Sequence, residues 1–288
     1  MISALIVSYP AKRISEALGI SRSHIYYLLS KGEKQISKLD RVREKYAYLK
    51  FYFDSLSKEF PKYGYRRIRV MFRRRHNIYL SKKTTQLIMR AFNLTLPVKK
   101  KRTKPNYQKI EATGPNELWQ SDMTKIWVEN TGWLHLFCII DCFSREIVGC
   151  SLSLFAGTKE LLQALDMAVS FRFPKGIPEG INLTIGSDNG CQFTSRAFIQ
   201  ALKDFKFKFM RTNYNCPEQN CYIESFFSSL KEEEVWLNEY TSVAEAEKSI
   251  LKWIYDYNHE RIHSSLDYLT PVEFMAEYKT QAVPIMLG

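Results

Sequence analysis

INLTIGSDNGCQFTS, residues 181–195, places an acid where the chain changes direction. The apolar run INLTI has the texture of a buried strand, and Asp188 follows it in a turn bracketed by Gly186 and Gly190. Open α/β sheets bind ligands beyond the carboxyl ends of their strands. Asp188 is therefore either a polar turn residue or one corner of a site whose other corners lie elsewhere along the chain.

On both sides of this stretch, apolar periodicity alternates between strand and helix. Residues 117–128, 132–141 and 145–154 read as three strands joined by short turns, and 159–173 as a helix. After the 181–188 strand come a helix at 195–205, a strand at 206–212, and helices at 223–236 and 244–260. Three strands followed by alternating helices and strands predict an α/β mixed sheet with flanking helices. No GxxxxGK[ST] phosphate loop is present, which argues against an NTPase motor.

Three acids in this region stand apart from those on polar helix faces. Asp122 lies inside the strand WQSDMTKIWV, where a charge is costly unless paired or bound to a cation. Asp188 ends a strand, and Glu224 opens a helix. Carboxylates are the ligands magnesium favours, and two such ions can clamp the attacking and leaving oxygens of a phosphoryl transfer. Two strands and a helix can supply the set. Asp141 is a further candidate, read as hydrogen-bonding locally; Trp119, Trp133 and Trp236 read as core or interface aromatics rather than base-stacking platforms.

The front of the chain has a different character. Residues 1–112 hold 27 Lys and Arg against 7 Asp and Glu, whereas 113–288 hold 15 against 23. Such a split predicts a polyanion-binding arm on a separate body. Residues 11–30 read as helix, Gly19 turn and second helix capped by Ser21, with Ile14, Ala17 and Leu18 on one apolar face and Ile25, Leu28 and Leu29 on the other. A mostly helical stretch is expected over 38–58. Residues 63–94 repeat the grammar, with Ser81 as the cap. The expected organisation is a helix-turn-helix-like module at 1–55, a second at 56–96, a basic linker at 97–112 and a catalytic body at 113–288. Double-stranded DNA is the expected partner. Candidate contacts are Ser21, Arg22, His24, Arg66, Arg67, Lys82 and Lys83, with Lys99, Lys100, Lys101 and Arg102 in the linker on the phosphate backbone.

Five motifs, taken in order, resemble a known family. WQSDMTKIWV, GSDNGCQFTS and PEQNCYIESFFSSLKEE are similar to the three acidic motifs of retroviral-integrase-like DDE transposases, with 35 residues between Asp188 and Glu224. YGYRRIR (63–69) and YNHERIHSSLDYLTPVEF (257–274) resemble the central helix-turn-helix and the tail of the second-frame transposases of insertion-sequence-three type. The resemblance implies a ribonuclease-H-like core preceded by all-α helix-turn-helix modules. It implies that Asp122, Asp188 and Glu224 are catalytic ligands of Mg²⁺ or Mn²⁺, as a pair of ions. Lys231, seven residues after Glu224, would share its helix face and bind a phosphate of the DNA end. Asn220 would share that face if the helix began early enough. Many relatives have Gly where this chain has Cys221.

The implied activity is recognition of terminal inverted repeats, strand cleavage and strand transfer into target DNA. A homo-oligomer, at least a dimer, would pair the ends, and an upstream-frame fusion is a further implied partner. Two alternatives stay open at this level: an inert DNA-binding regulator, and a nuclease that cuts without joining. No apolar run reaches membrane-spanning length and MISALIVSYPAKR does not read as a signal peptide, so a cytoplasmic, nucleoid-associated bacterial protein with no membrane partner is expected. The six Cys contain no CxxC pair and read as small buried hydrophobes, neither zinc ligands nor disulfides.

Overall fold

The computed structural model describes residues 9–97, 111–211 and 220–282. The chain divides into two units, Met1–Lys100 and Lys101–Gly288.

The first unit is helical: α1 Ala11–Leu18, α2 Arg22–Lys45, α3 Lys50–Glu59, α4 Tyr65–His76 and α5 Lys82–Ala91. Its turns follow local chemistry. Gly19 closes α1 at φ 65°, and Ser21 Oγ accepts the His24 N–H at the start of α2. Asn77 closes α4 at φ 53°, and Ser81 Oγ accepts the Thr84 N–H at the start of α5. Ile25, Phe53, Leu56, Ile68, Phe72 and Ile88 form the core, with the Phe53 and Phe72 rings 4.2 Å apart. Arg43 on α2 donates from Nε and Nη2 to the Ala91 carbonyl, at 3.0 and 2.8 Å, satisfying the end of α5.

Two expectations are corrected here. The helix that starts at Ser21 does not stop near residue 30 but runs unbroken to Lys45. A single internal Gly costs a helix only about 1 kcal/mol, which Gly32 does not turn into a break. Leu18 is also solvent-exposed, so the apolar face of α1 is narrower than its periodicity implies.

The second unit is built on a five-stranded sheet: β1 Leu118–Val128, β2 Gly132–Asp141, β3 Ile147–Ser153, β4 Thr184–Ser187 and β5 Lys208–Arg211. The order is β3-β2-β1-β4-β5. β1 to β3 pair antiparallel as a meander, while β4 and β5 add parallel to β1. Helices α6 Thr158–Arg172, α7 Arg196–Asp204, α8 Cys221–Glu233, α9 Val243–His259 and α10 Pro271–Ala282 complete the unit.

Strand alternation sorts the sheet's two faces. Ile126, Val128, Leu136 and Cys138 pack with Ile223, Phe226 and Leu230 of α8 and Ile250 of α9. Trp119, Phe137, Ile139 and Ile185 pack with Leu161 and Leu165 of α6 and Phe198 of α7. Gly149 permits the close approach of α6 to β3, since a Cβ there would lie 2.2 Å from the Ala164 carbonyl oxygen. The tail motif is a clamp. Asn258 on α9 exchanges 2.9 Å hydrogen bonds with both backbone groups of Ile147, and Arg261 grips Glu233 at the end of α8 with two bonds of 2.9 and 2.7 Å.

Candidate active site

Asp122 stands midway along β1, opposite Cys138 of β2, on the face covered by α8. The parallel pairing of β1 with β4 ends at Ser121 and Ser187, so the two chains part between Asp122 and Asp188. Asp188 is held in a local turn, its Oδ1 accepting the Gly190 N–H at 2.9 Å. Glu224 occupies the first turn of α8 and is exposed, and Lys231 lies further along the same helix. Three separate stretches of chain therefore converge.

The convergence shows in the electrostatics of Asp122. Burial is the main cause that pushes its carboxyl up, to about 7, and the nearby charges of Asp188 and Glu224 add to the shift. The Met123 N–H, which donates to Oδ1 at 2.7 Å, and the Lys231 ammonium oppose it. Among the described residues, no three His, Cys, Asp or Glu side chains lie close enough to enclose a metal ion as they stand. The donor set nonetheless fits a hard divalent cation: three carboxylates with no thiolate or imidazole among them.

Gln120, which carried no signal in the sequence, positions the helix. It shares the Asp122 face of β1 and is buried. Its Oε1 accepts the backbone N–H groups of Tyr222 and Ile223, at 3.0 and 3.1 Å. These are orphan donors of the first turn of α8, so a strand side chain caps the helix that carries Glu224.

Asp141 is a structural residue. It is fully buried and accepts the N–H groups of Asn116, Phe143 and Ser144 at 3.1, 2.8 and 3.3 Å. Arg172 at the end of α6 lies 3.5 Å from it and 2.7 Å from Glu146. Burial raises the Asp141 carboxyl, and Arg172 with the three N–H groups opposes that shift.

Asn220 does not join the Glu224 and Lys231 face. The helix starts at Cys221, leaving Asn220 at the cap position, buried, with its Oδ1 facing no donor among the described residues. Trp119 is a core residue, whereas Trp133 and Trp236 are exposed. Cys138 and Cys142 are buried free thiols, but Cys191 is exposed. In the first unit, Ser21, Arg22 and His24 are exposed on the first turn of α2, and Lys82 and Lys83 on that of α5. Arg66 is exposed on α4, with its guanidinium over the Tyr65 ring, and Arg67 lies over Tyr63. Lys99, Lys100, Lys101 and Arg102 lie outside the described residues.

Integrase core domain models match residues 112–216 and 206–271, and an HTH-like domain model matches 54–102. The putative transposase InsK of insertion sequence element IS150 from Escherichia coli (strain K12) is 32% identical over 280 residues, covering 92% of this chain and 93% of that protein. The chain belongs to the integrase-core transposases of bacterial insertion sequences. Within this family it is also 34% identical over 175 residues to the transposase of IS904 from Lactococcus lactis subsp. lactis (strain IL1403), covering 60% of this chain and 67% of that one. Transposase InsF of IS3A from Escherichia coli (strain K12) is 31% identical over 168 residues, covering 58% and 56%. In fold, the transposase is similar to a chain of the simian T-cell lymphotropic virus intasome solved with the PP2A regulatory subunit B56 gamma. That match has a TM-score of 0.50 and 16% identity, and covers 81% of this chain and 76% of that one. Among the described residues, no helix is long and apolar enough to cross a membrane.

Proposed function

We propose that Asp122, Asp188 and Glu224 are the catalytic carboxylates of this transposase and hold two Mg²⁺ or Mn²⁺ ions. One observation carries the reading: the charges of Asp188, Glu224 and Lys231, from two other elements, all act on the Asp122 carboxyl. When bound, the cations would supply Lewis acidity at the attacking and leaving oxygens of a phosphodiester. Lys231 binds a phosphate of the DNA end beside the carboxylates, and Gln120 keeps Glu224 aimed at them. The exposed first turns of α2 and α5, with Lys82 and Lys83, engage the terminal repeat in the manner of recognition helices. Water attacks the terminal phosphodiester and its P–O3′ bond breaks, leaving a 5′-phosphate and a free 3′-hydroxyl; that hydroxyl attacks a second phosphodiester, whose own P–O3′ bond breaks so that its 3′-oxygen leaves as a protonated hydroxyl. No covalent enzyme intermediate is required.

We also assign end pairing to a homo-oligomer. β3 is an edge strand, and exposed Met167, Phe171, Leu251 and Tyr255 lie on the helices beside it. That apolar patch suits a second copy of the chain. Incubating the protein with a labelled element end and Mg²⁺ tests the activity. Nicked and joined products are expected. Nicking without joining would reduce the reading to a nuclease, and binding without nicking to a regulator.

A further inference from the structure

Beyond the carboxylates, a groove of about 620 Å³ opens between the tip of the β1–β2 hairpin and the segment that follows α8. Trp127, Trp133 and Trp236 line it, with Lys125 and Lys231 among its polar groups. The three indoles are 56%, 52% and 69% exposed, unusual for so large an apolar surface. Trp127 and Trp133 are cross-strand partners with rings 5.1 Å apart at 75°, an edge contact that leaves a ring face open. The walls are tied together, because the Glu129 N–H at the hairpin tip donates to the Tyr240 carbonyl at 2.9 Å. Lys231 belongs to both places: it lines the groove and its charge reaches Asp122.

We propose that this groove binds unpaired nucleotides of the DNA end, with bases stacked on Trp127, Trp133 and Trp236 and phosphates against Lys125 and Lys231. Paired bases keep their faces inside the duplex stack, whereas a cavity of this size takes one or two free bases. Aromatic faces interleaved with Lys are how sequence-tolerant single-strand sites are built. Glu129 and Glu239 also line the groove, so charge alone does not make it a DNA site, and the aromatic surface does. Cutting one strand loosens the pairing beside the cut and delivers such nucleotides within reach of Lys231. The proposal rests on the catalytic reading of Asp122, Asp188 and Glu224.

The test compares two duplexes in EDTA with the full-length protein, one carrying an unpaired thymidine tail and one an abasic tail of equal phosphate number. The wild type should bind the thymidine tail about tenfold more tightly. Trp127→Ala and Trp236→Ala, both at exposed positions, should erase that preference while keeping affinity for blunt duplex. Glu224→Gln should keep the preference in EDTA and, in a parallel incubation with Mg²⁺ in which the wild type nicks, lose nicking. No preference in the wild type, or one retained in both Trp variants, overturns the groove assignment. A changed oligomeric state in the Trp variants with the preference intact also overturns it, in favour of a protein interface. Nicking that survives Glu224→Gln overturns the catalytic reading instead, so the two failures are distinguishable.

Discussion

Gln120 and Tyr222 are 102 positions apart in sequence and joined by a 3.0 Å hydrogen bond from the Tyr222 N–H to the Gln120 side-chain oxygen. With the companion bond from Ile223, it fixes where α8 begins relative to β1, and so where Glu224 stands relative to Asp122. Gln120→Leu removes the acceptor and leaves two N–H groups unsatisfied, at a cost of about 1–3 kcal/mol. Nicking should lose kcat with little change in duplex affinity. Gln120→Glu, which keeps an acceptor oxygen, should restore part of the lost stability. Equal kcat in wild type and Gln120→Leu would remove Gln120 from its positioning role.

Asp122 gives the metal-free protein a characteristic pH dependence. Its folded value of about 7 lies above the ordinary carboxylate value of about 3.9, so the folded state takes up the proton first. Stability therefore falls as pH rises from about 4 to about 7 and is level above that. Asp122→Asn should flatten the slope and stabilise the protein at pH 8 by about 1–3 kcal/mol while abolishing nicking. Urea unfolding in EDTA at pH 5 and pH 8 measures it, and parallel losses in wild type and variant would contradict the assignment.

Asp141 should behave in the opposite way. Asp141→Ala strips Arg172 of one carboxylate partner and leaves three N–H groups without their acceptor. Breaking a buried pair of this kind costs about 3–5 kcal/mol. Thermal unfolding should drop sharply with or without Mg²⁺. A stable variant that loses only cleavage would make Asp141 a ligand after all.

Lys82 and Lys83 are exposed on the first turn of α5, the proposed recognition turn. Replacing both with Ala should weaken binding across DNA sequences and reduce the salt slope by about 2. An unchanged slope would place the phosphate contacts elsewhere.

Much of this was readable in advance where the signal is local. Alternation in WQSDMTKIWV gave β1 and its two faces, Ser21 and Ser81 gave helix starts, and Asp188 fell just past its strand. The resemblance singles out Lys231, and α8 carries it about two turns after Glu224. Gln120 was not legible, since a Gln on a strand carries no mark of a partner more than a hundred residues away. The length of α2 was obscured by the polar stretch around Gly32, which resembles a break. Of the aromatics that read as core or interface residues, Trp119 is core, whereas Trp133 and Trp236 are exposed. Trp133 is exposed because the hairpin tip projects beyond the part of β1 that β4 covers, and Trp236 lies outside the sheet, in the turn after α8.

The most direct measurement follows a labelled element end incubated with Mg²⁺ and either wild type or Glu224→Gln, with DNA binding and thermal unfolding recorded on the same preparations. Glu224 is exposed, so the substitution should leave folding and binding intact while nicked and joined products vanish. Products persisting at the wild-type rate in a folded, DNA-bound Glu224→Gln protein would contradict catalysis by the Asp122, Asp188 and Glu224 set.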